Sequence, residues 1–164
     1  MSTAGQLRTP PLLGEAFGGR LTFHDKPATD TTWYDMPGMT LTLPEAGTYS
    51  VTTEVTGQVA APPNNALAIN QRLLVNGALF PNSGLMVIHH GQAGTGGPSV
   101  WSAIRCARTA RYFITTVGGE VLKVQVQRLA SAANGAPLSP GQAYTGVLGA
   151  GEGGARIEYQ KVGN

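Results

Sequence analysis

The chain has 164 residues, 41% of them apolar and only 12% charged, with 23 glycines, 11 prolines and a net charge of +2. That length fits one domain with a core of useful size, and the charged fraction is about half of the ~25% usual in soluble domains. Eight Arg and three Lys are dispersed without a basic stripe, which argues against a nucleic-acid ligand, and one cysteine excludes an intramolecular disulfide framework.

Residues 1–19 read as an extended arm. Leu7, Arg8, Pro10, Pro11, Leu12 and Leu13 are its docking residues, and Gly18-Gly19 acts as a joint before a domain expected over 20–164. The start lacks a basic segment followed by an apolar run, so no signal peptide is expected. No stretch approaches the length of a membrane span, so no membrane insertion is expected.

Short alternating runs follow, separated by turn formers. Leu21 and Phe23 mark a first strand, Thr32 to Tyr34 a second, and Met39, Leu41 and Leu43 a third. In LTLPEAGTYSV (41–51) Pro44 ends the ladder for lack of an N–H, and Gly47 turns the chain. Tyr49, Val51, Thr53 and Val55 then share the core face, with Thr48, Ser50, Thr52 and Glu54 on the wet one, so this stretch is a corner between two sheets. After the loop APPNN, Leu67, Ile69, Leu73 and Val75 alternate up to Asn76-Gly77, a hairpin signal.

A strand is expected at about Leu85 to His90, then a Gly-rich loop over 91–98. VWSAIRCAR, ARYFITTV and EVLKVQVQRLA read as three further strands, the last two joined as a hairpin around Val117-Gly118-Gly119-Glu120, with Leu122, Val124 and Val126 on one face. Residues 131–153 form a long excursion with one short strand near Tyr144 to Leu148, and ARIEYQKV closes the chain. No helical periodicity of useful length is present. The expectation is an all-β jelly-roll sandwich of about eight to ten antiparallel strands, its first and last strands pairing in the middle of a sheet.

Few residues invite chemistry. Asp30 and Asp35 flank TTWY, but sequence does not place any two carboxylates across a cleft as a glycosidase requires. His89 and His90 point to opposite faces of a strand and cannot chelate one ion from one chain, although a three-fold axis would collect three copies of either. Cys106 is expected to be a small buried apolar side chain. Arg105, Arg108 and Arg111 share a face only on a helix, and their neighbours favour strands, so they read as surface charges at a hairpin end. No phosphate loop, nucleophile elbow, zinc spacing or calcium loop is found.

With the strands placed, the chain resembles the complement-type, tumour-necrosis-factor-like jelly-roll domains of tailed-bacteriophage virion proteins. The resemblance is carried by TTWYDMPGMTLTLPEAGTYSVTTEV (31–55), LLVNG (73–77), RYFITTVGGEVLKVQV (111–126) and GGARIEYQKV (153–162). It implies a homotrimer packed around a three-fold axis by aromatic and aliphatic residues of one sheet, and no cofactor. It also implies a non-enzymatic virion protein on the particle exterior, made in the host bacterial cytoplasm. The leading expectation is a capsid decoration (cement) protein whose arm lies on the major capsid protein or other virion proteins. The alternative is a minor tail or tail-fibre protein that binds a host surface glycan or protein, with Asn64, Asn65, Gln92, Asn134 and Tyr144 as candidate loop contacts. An enzyme, such as a polysaccharide depolymerase, lacks its carboxylate constellation.

Overall fold

The computed structural model describes residues 12–23, 30–61, 65–92, 102–132, 144–147 and 154–164. Eleven strands and no helix are present among the described residues: β1 (Leu13–Phe17), β2 (Leu21–Thr22), β3 (Trp33–Thr42), β4 (Gly47–Ala61), β5 (Asn65–Val75), β6 (Ala78–Leu79), β7 (Leu85–Gln92), β8 (Ser102–Thr116), β9 (Val121–Ala132), β10 (Tyr144–Val147) and β11 (Ala155–Gly163). All pairings are antiparallel. One sheet runs β1-β11-β4-β8, with β10 and β2 continuing beside the far half of β4; the other runs β3-β9-β5-β7, with β6 hairpinned onto β5. Eight long strands in these two layers make a jelly-roll sandwich.

The core lies between the layers and follows the expected alternation. Tyr49, Val51, Thr53 and Val55 of β4 are all buried, as are Leu122, Val124 and Val126 of β9 and Leu67, Ile69 and Leu73 of β5. Gly57 continues the inward row of β4 where the opposite layer comes closest: a Cβ there would stand 2.8 Å from Ile88 Cγ2 and 3.1 Å from Ile69 Cδ1. Asn76 and Gly77, at φ 51° and 80°, make the two-residue turn between β5 and β6 that the sequence signals. The corner at Pro44–Gly47 crosses from β3 in one sheet to β4 in the other, and the Tyr49 hydroxyl donates to the Glu45 carbonyl at 3.1 Å to hold it.

Five expectations are corrected. The two strands expected over 100–117 are one 15-residue strand, β8, in register with β4 from Ala61↔Ser102 to Gly47↔Thr116. Charges and small residues at 105–110 mimic a break because β8 is an edge strand, exposed on both faces from Ile104 to Thr109. Cys106 is exposed there for the same reason.

The turn at Val117–Glu120 is not a hairpin: β8 pairs β4, β9 pairs β3 and β5, and the segment crosses between sheets. The strands expected at Thr32 to Tyr34 and at Met39, Leu41 and Leu43 are one strand, β3 (Trp33–Thr42), in which Pro37-Gly38 forms a bulge between Asp35 and Thr40. That bulge lets Met36 and Met39, three apart, both enter the core. Finally, the strand expected first, at Leu21 and Phe23, is β2 and pairs β10, whereas the last strand β11 pairs β1, a stretch expected to belong to the arm, at the sheet edge rather than its middle.

Candidate self-assembly face

The outward side of β1-β11-β4-β8 is set by the same alternation that buries Val51, Ile114, Ile157 and Tyr159. Register places its residues in rows across the four strands. One row is Leu13, Gln160, Ser50 and Phe113; the next is Glu15, Glu158, Thr52 and Arg111; the third is Phe17, Arg156, Glu54 and Thr109. The first two rows line a shallow depression of about 600 Å³, together with Val162.

Four large apolar side chains on this face meet water: Phe113 is 65% exposed, Leu13 63%, Phe17 53% and Val162 52%. Phe113 is the informative one, because its strand neighbours Tyr112 and Ile114 turn inward and it stands opposite a serine. Exposed apolar side chains set among polar ones on an open sheet face are the composition of an association surface.

The electrostatics are divided across the face. Arg156 bridges Glu54 at 3.4 Å and Glu158 at 3.5 Å. Glu15 stands directly opposite Glu158 and has no ion pair among the described residues. At the other edge Arg111 is exposed and likewise without an ion pair among the described residues.

Of the sequence-derived arm, Leu12 accepts a hydrogen bond at its carbonyl from Lys161 N at 2.9 Å and Leu13 opens β1, so both are tied to the sheet. Leu7, Arg8, Pro10 and Pro11 lie outside the described residues, as do Asn64 and Asn134. Asn65 and Gln92 pair with each other at the end of β5 and β7, and Tyr144 pairs Ala60 where β10 meets β4, so these contact candidates sit in strand backbone rather than loops.

The acids flanking TTWY are separately engaged. Asp30 accepts from Thr32 N at 2.9 Å and from the Tyr34 hydroxyl, and hydrogen bonds from the Thr32 side chain first, then Tyr34 and the Thr32 backbone, hold its carboxyl at about 2. Asp35 accepts from Lys123 at 2.8 Å and Gln125 at 2.7 Å, which also lowers it. Neither carboxyl keeps a proton to donate at neutral pH, as a glycosidase acid must. His89 and His90 pair with Ala68 and Leu67 in β7, and no group of three metal-ligating side chains occurs among the described residues. Arg105, Arg108 and Arg111 all lie exposed on β8, with Arg108 on the face opposite to the other two.

Neither a family model nor a curated protein matches the chain. Solved structures do. It is similar to Eiger TNF from S. frugiperda, at 14% identity and TM-score 0.35, over 94% of each chain. It is also similar to a chain of the T13 IBDV viral particle, at 10% identity and TM-score 0.40, over 99% of this chain and 40% of that one. Among the described residues no helix is long and apolar enough to cross a membrane.

Sequence reasoning missed the face itself. Its signal was present in RYFITTV, where Arg111 and Phe113 fall out of phase with the buried positions. Leu13 and Val162 join Phe113 only through the pairing of the two chain ends.

Proposed function

We propose that the chain is a non-enzymatic structural subunit of a tailed-phage virion: a homotrimer that decorates the capsid exterior, self-associating through the outer face of β1-β11-β4-β8 and docking through the arm before β1. The observation that carries this reading is the set of exposed apolar side chains Leu13, Phe17, Phe113 and Val162 on an open sheet face, which a monomer has no reason to keep. The scarcity of charge, 12%, supports a surface largely covered by neighbours, and the resemblance to phage virion jelly rolls supplies the assembly. A small chain used in many symmetric copies suits a shell.

The test is to mix the purified protein with particles lacking it, sediment them and count bound copies. Hundreds spread over the head are expected. A handful at the tail, or binding to host cells instead, would replace decoration with the receptor-binding reading.

A further inference from the structure

Three features stand out beyond the apolar group: the buried Gln71 amide, the two-sided exposed stretch of β8, and the split charges of the Glu15 row. The third reaches a partner. Resting on the self-assembly reading, we infer that Arg111 of one copy binds the Glu15–Glu158 pair of the next, so that the β8 edge of each subunit seats on the β1 edge of its neighbour in a closed ring.

Like charges directly opposite each other on neighbouring strands destabilise a sheet, and Glu15↔Glu158 is such a pair. Arg156 reaches Glu158 at 3.5 Å but shares its guanidinium with Glu54, and Glu15 gains no cation among the described residues. Arg111 shares their row but stands at the opposite edge of the sheet. Three strand spacings, about 14 Å, separate β1 from β8, and side chains on a strand stand roughly perpendicular to the sheet. Arg111 therefore does not close on Glu15 within one chain; a second copy closes the contact.

Register makes the match two-point. At the β1 edge Leu13 lies one row from Glu15, and at the β8 edge Phe113 lies one row from Arg111, on the same side. Rotation about an axis along the strands keeps rows at the same height. Phe113 of one copy then meets Leu13 of the next while Arg111 meets the acids, an apolar contact with a charged one beside it. Complementary charge fixes the register that flat apolar packing leaves free.

The experiment is charge reversal in the full chain, read as the dissociation constant of the assembly by sedimentation equilibrium, with circular dichroism to show that each variant is folded. Arg111→Glu, and Glu15→Arg with Glu158→Arg, are each expected to weaken assembly by at least about tenfold, and all three together to restore most of it. Added salt should weaken the wild-type assembly and leave Arg111→Ala less sensitive. Folded single reversals that assemble like the wild type, or a combined variant no better than either, would overturn the pairing while leaving self-assembly standing. A wild-type chain that stays monomeric would overturn both.

Discussion

Gly118 lies against the backbone of Glu45, so close that a Cβ on Gly118 would stand 2.9 Å from both the Glu45 carbonyl carbon and its Cα. The two segments that carry the chain between sheets are stacked there, and Leu43 locks them: its N–H donates to Glu120 O at 2.9 Å and its carbonyl accepts from Gly119 N at 2.7 Å. Gly118, at φ 97°, is thus confined by backbone conformation and by space, whereas Gly119, at φ 86°, faces open space. Gly118→Ala is expected to cost about 2–4 kcal/mol and Gly119→Ala about 1–2 kcal/mol, the difference being the clash. Urea denaturation of the pair checks the order, and equal losses would show that the corners yield.

Gln71 occupies an inward position of β5, is 1% exposed, and neither its amide oxygen nor its nitrogen has a hydrogen-bond partner among the described residues. A buried amide left unpaired costs about 1–3 kcal/mol, so Gln71→Met, similar in shape and without the polar atoms, is expected to stabilise the fold by about that amount. A thermal melt that falls instead of rising would mean the amide is satisfied in solution.

Asn76 does two jobs. It adopts φ 51° at the β5–β6 turn, and its side-chain oxygen accepts from Val121 N at 2.8 Å, tying that turn to the start of β9. Asn76→Ala loses the bond and is strained at positive φ, for an expected cost of about 1–3 kcal/mol; Asn76→Gly relieves the strain alone and should fall between the two. A denaturant series across the three proteins reads this directly.

Asp30 links stability to acid. Its carboxyl is held at about 2 against an ordinary 3.8, so its contribution is fully present above 3.8 and is lost as pH falls through about 2. Asp30→Asn keeps an acceptor oxygen without the charge. Stability measured against pH should therefore show a steeper acid loss for the wild type than for the variant in that window, and parallel curves would show that the Thr32 and Tyr34 hydrogen bonds do not select the ionised form.

The layers of the fold were legible where one face is buried and the other wet: Tyr49, Val51 and Val55 announce β4, and Leu122, Val124 and Val126 announce β9. Legibility failed where that contrast fails. On the edge strand β8 both faces are open from Ile104 to Thr109, so no alternation was selected there and one strand read as two. The turn residues at Val117–Glu120 report a change of direction but not which sheet receives the next strand. The bulge at Pro37-Gly38 shifts the inward phase, which hides the continuity of β3. The candidate face was harder still, since Leu13 and Phe113 are a hundred positions apart in sequence and share a row only after β1, β11, β4 and β8 have paired.

The central claim is that the outer face of β1-β11-β4-β8 is covered by copies of the same chain. It is tested most directly by the solution mass of the wild type beside Phe113→Ser, which removes an aromatic ring that is 65% exposed and so leaves the fold of one subunit intact. The account predicts about three times the 17.0 kDa chain mass for the wild type and a shift to the single-chain mass for the variant at the same concentration. A wild-type protein that remains at 17.0 kDa, or a variant that assembles as well as the wild type, would contradict it.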